Sequence, residues 1–250
     1  MARDLTFGPP GEEWHYDRKS KTYDLTRGRT TSYKIGTTQG PGETFVTISP
    51  EISALVIVDM QNFFLHKDCR DHPLGLAAVD PTLRAIAQCR ALGIQVIWLN
   101  WGLTDADMET LPASVQHGFS RSLIISEPDP SQARRAGLGA ELGGTQGRCL
   151  FKGSCNAEVY GPLKDQVRLD LGDAWCDKNR MSGLWTEGQP LYKELVRGGK
   201  RTLLFAGVNT DQCVLGTLVD GYNRGWDCVM LEDCCATTTK GAKEVCALNV

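Results

Sequence analysis

Three side chains carry the chemistry this sequence could do: Asp59, Lys178 and Cys213. A thiol is a poor nucleophile until ionised, and a helix N-terminus with a nearby cation lowers its pKa. Cys213 sits where a helix should begin, with Lys178 as the cation, so the sequence predicts a depressed thiol pKa. Asp59 would take the thiol proton as general base and return it to a leaving amine. Backbone N–H groups at the helix start would hold the oxyanion of a tetrahedral intermediate. Losing one such donor typically costs about 2.7–4 kcal/mol of transition-state stabilisation. The histidines are His15, His66, His72 and His117. None follows Cys213, which argues against a Cys–His pair. Each member of the trio also has a plain structural reading. An acid after a strand is often a helix cap, a lysine there a solvated loop residue, and a helical cysteine core packing. Their convergence is what favours chemistry.

That convergence depends on the elements around them. Ala54 to Val58 is a continuous apolar run ending at Asp59, as expected of a strand buried on both faces of a parallel sheet. Pro81–Leu92 has helical spacing and stops at Gly93, a plausible C-cap. Gln95–Asn100 reads as a second strand and Asp173–Lys178 as a third. A helix over Gln189–Arg197 leads to a fourth strand, Thr202–Gly207. The next helix, Asp211–Arg224, should bury Val214, Leu215, Leu218, Val219 and Tyr222. Asp227–Leu231 is the fifth strand, and a last helix starts near Lys240. The pattern predicts a doubly wound α/β fold with a mainly parallel sheet of five or six strands, flanked by helices in a Rossmann-like three-layer arrangement. Ligands in such folds bind beyond the carboxyl ends of the strands, where the strand order reverses. Asp59, Lys178 and Cys213 all follow strands at that edge.

Two segments fall outside this alternation. Residues 1–50 are rich in Gly, Pro, Thr and charge, and read as an arm packed on the domain or a neighbouring subunit, with a partly disordered tail as the alternative. The stretch TSYKIGTTQGPGETFVTI within it suggests a small hairpin. Residues 51–250 form the main domain, interrupted by a long excursion over 102–160. SLIIS at 122–126 is its one apolar piece, and such connections usually make a lid or an interface.

The chain has 250 residues, 41% of them apolar, and a net charge of −3. No basic stretch points to nucleic acid or to an anionic membrane. No apolar run approaches the roughly 18 residues of a membrane helix. The first residues contain no apolar segment of a secretory signal, so the expected location is cytoplasmic. Ten cysteines in such a chain read as reduced thiols rather than a disulfide framework. Cys89, Cys228 and Cys246 lie in apolar runs and read as small buried hydrophobes.

Three motifs resemble the isochorismatase-like cysteine hydrolases: ALVIVDMQNFF at 54–64, DKNRMSGLW at 177–185 and LLFAGVNTDQCVLGTLVDGYNRGWDCVMLEDCCA at 203–236. The resemblance covers about 54–250. The preceding arm looks like an extension seen in fungal members. The resemblance implies that Asp59, Lys178 and Cys213 are the catalytic set. It also implies a cis peptide between Val208 and Asn209 that aims the Asn209 N–H, with that of Cys213, at the oxyanion. Gln61 matches a position some members use for substrate or nucleophile support. Members commonly form dimers or tetramers, so the resemblance implies a homo-oligomer.

Departures from the family pattern narrow the expectation. The Asp-x-His set with which nicotinamidases bind a metal is missing after Asp59, since His66 and His72 are wrongly spaced. No metal and no cofactor are expected, and nicotinamide is disfavoured. The usual Ser-Ala-Phe after the lysine is Ser182-Gly183-Leu184, with Trp185 as a candidate replacement for the aromatic wall. Phe64, Trp101 and Trp185 are expected to line the pocket for a small-molecule substrate, the two tryptophans from loops, while Trp98 belongs to the core. Asn100 and Tyr160 are candidate polar contacts. The leading reading is hydrolysis of an amide or ureide C–N bond through a thioester. Isochorismatase-type vinyl-ether hydrolysis with Asp59 as acid is the alternative, and a non-catalytic binding protein a second.

Overall fold

A computed structural model describes residues 5–38, 44–126 and 137–249 of the chain, with the side chains of 121–126 and 249 excepted. The main sheet has the order β10-β9-β6-β7-β8. It comprises β6 (Ser53–Val58), β7 (Gln95–Trp101), β8 (Ala174–Lys178), β9 (Thr202–Val208) and β10 (Asp227–Ala236). All four pairings are parallel. Every residue of β6 and of β9 is buried, because helices cover both faces of these strands. Chain order runs outward from β6 to β7 and β8, then returns to place β9 on the other side of β6. The strand order therefore reverses between β6 and β9, which is where a crevice opens in doubly wound sheets.

Gly207 explains how closely those two strands approach. Its φ is +122°, and a Cβ there would lie 2.0 Å from the carbonyl oxygen of Val58. No side chain fits that gap. Val58 precedes Asp59 and Gly207 precedes Val208, so this glycine sets the spacing between the two strand ends that matter most.

Several boundaries differ from expectation. The helix after Asp59 is a single turn, α1 (Asn62–Leu65), followed by α2 (Pro73–Ala77) and α3 (Val79–Leu92). Gly93 closes α3 in the left-handed conformation, as its position predicts. The stretch expected to be one helix from Asp211 is a wide turn over Thr210–Val214 and then a helix over Leu215–Asn223. Val214 and Leu218 are buried there, whereas Val219 and Tyr222 face outward at 42% and 68% exposure. The apolar stripe is thus narrower than the sequence suggests. β10 runs on to Ala236, with a register shift between Met230 and Cys235.

Residues 5–48 build a second sheet of order β1-β2-β3-β5-β4. Its strands are β1 (Leu5–Phe7), β2 (Trp14–Asp17), β3 (Thr22–Asp24), β4 (Tyr33–Thr37) and β5 (Thr44–Ile48). The expected hairpin is β4 against β5, and the loop residues 39–43 lie outside the described residues. This sheet anchors at Asp227, the first residue of β10. The Asp227 carboxylate takes a bidentate pair from Arg27, a 2.8 Å hydrogen bond from Trp14 Nε1 and a 2.9 Å one from Thr202 Oγ1. The anchor thus lies at the amino ends of β9 and β10, the opposite end of the sheet from Asp59 and Cys213. The excursion contains helices over Asp105–Thr110 and Ala113–Ser126, the latter containing the apolar SLIIS piece, whose side chains fall outside the described set.

Candidate active site

Asp59, Lys178 and Cys213 meet beyond the carboxyl ends of β6, β8 and β9. Lys178 is the last residue of β8 rather than a loop residue. Its Nζ lies 2.9 Å from Asp59 Oδ2 and 3.5 Å from Cys213 Sγ, and donates at 3.2 Å to the carbonyl of Arg180. The contact with Asp59 is an ion pair, while the hydrogen bonds of the ammonium go to the sulfur and the carbonyl. The ammonium also sits 4.0 Å from the centroid of the Trp101 ring, where the negative face of the indole favours a cation. Neither the Asp59 nor the Lys178 side chain has any exposed surface.

The backbone fixes the carboxylate. Asp59 has φ +51°, a left-handed conformation that aspartate tolerates better than most residues. Its N–H donates to the Leu99 carbonyl at 2.9 Å, and its Oδ1 accepts from the Trp101 N–H at 3.1 Å. The Cys213 thiol also reaches this carboxylate. Burial pushes the Asp59 carboxyl above the ordinary carboxylate range, against the opposing pull of Lys178.

Cys213 departs from expectation. Burial pushes its thiol up to about 12, Lys178 pulls it back only in part, and the Asp59 charge adds to the rise. Desolvation outweighs the cation because Cys213 is only 6% exposed. Nor does Cys213 occupy an ordinary first helical turn, since the Val214 N–H reaches back five residues to the Asn209 carbonyl at 3.2 Å. The resting site is therefore a neutral thiol beside an Asp–Lys ion pair, not a preformed thiolate. The Val208–Asn209 peptide is cis.

The expected pocket residues divide. Trp101 ends β7 instead of lying in a loop, and is 3% exposed. Its indole N–H lies near the Cys213 sulfur and closes no hydrogen bond. Gln61 is fully buried, and backbone groups hold its amide: Nε2 donates to the carbonyls of Trp101 and Ala157 at 2.7 Å each, and Oε1 accepts from the Trp101 N–H at 3.1 Å. Those bonds make Gln61 a clamp on the end of β7. Phe64 packs in the core, its ring edge-on to Phe63 at 5.0 Å. Trp185 is 43% exposed under the Arg180 guanidinium, 5.0 Å away, and no described contact brings it to the sulfur. Asn100 is buried with neither amide atom hydrogen bonded. Tyr160 is half-buried beside His66.

Two residues escaped the sequence reading. Phe119, from the excursion helix, packs against Trp101 at 6.0 Å and Phe63 at 5.8 Å. His72 is fully buried and bonds Asn209. Its one sequence signal is the Pro73 that follows, which marks a helix start and so a cap. A cleft of about 510 Å³ is lined by Trp101, Gly102, Ala157, Val159 and Asp177 among others, but by none of Asp59, Lys178 or Cys213. Among the described residues no group of three or more His, Cys, Asp or Glu could hold a metal ion. No helix among them is long and apolar enough to cross a membrane.

A parallel α/β sheet with a cysteine, a carboxylate and an ammonium gathered at its switch point defines a hydrolase class. The chain matches the isochorismatase domain over residues 53–249. It is 32% identical over 195 residues to the ureidoacrylate amidohydrolase RutB of Enterobacter sp. (strain 638), covering 75% of this chain and 76% of the relative. The RutB of Klebsiella pneumoniae (strain 342) is 31% identical over the same length, covering 75% of each. An isochorismatase family protein from Desulfovibrio vulgaris superposes with a TM-score of 0.59 at 25% identity, covering 79% of this chain and 88% of that one. N-carbamoylsarcosine amidase from Thermoplasma acidophilum shares the fold at a TM-score of 0.56 and 24% identity, covering 79% and 91%. This chain belongs to the isochorismatase family.

Proposed function

We propose that the protein hydrolyses a C–N bond of a small ureide or amide through a thioester on Cys213. The observation that carries this is the contact of one buried ammonium with both a carboxylate, at 2.9 Å, and a thiol sulfur, at 3.5 Å. The names of the ureidoacrylate amidohydrolases it resembles favour a ureide.

In the proposed reaction Cys213 Sγ attacks the carbonyl carbon as its proton passes to Asp59. Because burial holds the thiol protonated, transfer and attack occur together. The oxyanion sits against the N–H groups of Asn209 and Cys213. Asp59 then gives the proton to the leaving nitrogen, the C–N bond breaks, and a thioester remains. Water attacks that thioester while Asp59 takes its proton, and the thiol leaves with that proton restored. Lys178 keeps Asp59 ionised at rest and balances the charge that moves to the substrate oxygen.

The substrate must pass the excursion. Phe119 on the Ala113–Ser126 helix lies over Trp101, so this helix is proposed as the lid over a site that is closed at rest. The arm of residues 1–50 is proposed as a separate unit that stabilises the far end of the sheet of domain 51–250. A homo-oligomer and a cytoplasmic location complete the reading, the latter supported by ten free cysteines.

The test is ammonia release from a panel of ureides and amides, ureidoacrylate included, with Cys213→Ala as control. Turnover that disappears in the variant supports the thioester route. Turnover that survives it overturns the route and points to chemistry led by Asp59, such as vinyl-ether hydrolysis.

A further inference from the structure

His72 stands just before α2, fully buried, and both its ring nitrogens are engaged. Nδ1 accepts the Gly75 N–H at 2.9 Å, capping the short helix. With that nitrogen an acceptor, Nε2 carries the hydrogen, and it lies 2.8 Å from Asn209 Oδ1. Gly75 also packs closely against this side of the ring. A Cβ on Gly75 would lie 3.0 Å from the imidazole and 2.6 Å from Leu65 Cδ2, so a larger residue would press on the ring and displace Leu65. Asn209 is itself 3% exposed and begins the turn that carries Cys213.

We infer that His72 is a positioning residue: its Nε2–H fixes the Asn209 side chain, and through it the Asn209 N–H that faces the oxyanion. The inference rests on the thioester reading, which gives that N–H its task. Helix capping and positioning use different ring nitrogens, so they can be separated. His72→Asn keeps an acceptor where Nδ1 was and still caps α2, but cannot reach Asn209. His72→Gln places a donor near the position of Nε2 and restores that reach. Asn209→Ala removes the acceptor.

An oxyanion forms only after attack, so losing its support should lower kcat and leave KM unchanged. A misplacement of about 1 Å can cost a hundredfold in rate. His72→Asn is expected to lose about tenfold to a hundredfold in kcat, with KM within about twofold and the thermal midpoint little changed. His72→Gln should recover most of the loss. Asn209→Ala should match His72→Asn, and the double variant should be no worse than either single one. Wild-type kcat in His72→Asn, or losses that multiply in the double variant, would overturn the inference. A second measurement needs neither turnover nor a variant. Imidazole 15N NMR of the unaltered protein at neutral pH should show His72 as the neutral Nε2–H tautomer. The Nδ1–H tautomer would overturn the pairing outright. Failure of the thioester reading would show separately, as turnover surviving Cys213→Ala.

Discussion

Replacing Lys178 with methionine tests the heart of the site, because it removes the charge and keeps much of the volume. Asp59 would then be a carboxylate without exposed surface and without its 2.9 Å partner. Breaking a buried pair from one side costs about 3–5 kcal/mol, most of it the penalty on the charge left behind. At a urea slope of about 2–3 kcal/mol/M the midpoint falls by roughly 1–2.5 M. The pH dependence has a definite sign. Burial already raises the Asp59 carboxyl, and losing the pull of Lys178 raises it further. Above its unfolded value of 3.8 the native variant holds a proton that the unfolded chain has released. Stability therefore falls as pH rises, by at most about 1.4 kcal/mol per unit, until the folded carboxyl ionises. The double variant Asp59→Asn, Lys178→Met should recover most of the stability and none of the activity, since asparagine also accepts φ +51°. Urea titrations at pH 5 and pH 8 measure all of this. A Lys178→Met midpoint equal to wild type, or a penalty that shrinks toward alkaline pH, would refute a buried ion pair.

Other outcomes follow from the same coordinates. Burial raises the thiols of Cys149, Cys176 and Cys213 from 9.0 to about 12, so they stay protonated while an unfolded chain ionises. Their stabilisation is complete below pH 9 and fades toward pH 12, by up to about 1.4 kcal/mol per unit each. Circular dichroism should show cooperative alkaline unfolding in that window, and secondary structure that persists unchanged to pH 12 would contradict it. Asp227→Ala takes the bidentate partner from the buried Arg27 guanidinium, leaving Glu12 at 3.7 Å, and should cost up to about 3–5 kcal/mol. Limited proteolysis should then cut within residues 5–48 first; an arm as resistant as wild type would refute the anchor. Gly207→Ala drives a methyl to 2.0 Å from Val58 O and should lose several kcal/mol together with activity, which a thermal melt near wild type would disprove.

The strand ends were legible because runs such as Ala54–Val58 and Thr202–Gly207 are apolar without alternation, a pattern that fits only a sheet buried on both sides. A polar residue that closes such a run must lie at the edge, so Asp59 could be placed from the sequence. Burial was harder to read. A lysine and an aspartate look like solvated groups in sequence, yet here both lose all contact with water. That burial reverses the expected direction of the Cys213 shift. Trp101 was misplaced by one position, because a strand continues as long as its neighbour β8 offers partners, and β8 lies more than seventy residues downstream. The second sheet was half legible. β4 and β5 show alternation, but β1, β2 and β3 have three or four residues each, too few for periodicity to declare itself. His72 was invisible because its partner lies on another strand end.

The burial of the site and the choice of lysine have one explanation. In the proposed reaction the cluster starts as a carboxylate, an ammonium and a neutral thiol, so its net charge is zero. Once sulfur attacks and Asp59 takes the proton, the negative charge moves to the substrate oxygen and the ammonium stays. When the leaving nitrogen takes that proton, the charge returns to Asp59. Every step therefore transfers charge between two anionic positions around one fixed cation, and the desolvated site never carries an unpaired ion. Lys178, ion-paired with Asp59 and hydrogen bonded to Cys213 and the Arg180 carbonyl, holds the charge that makes a water-free thiol site stable before substrate arrives.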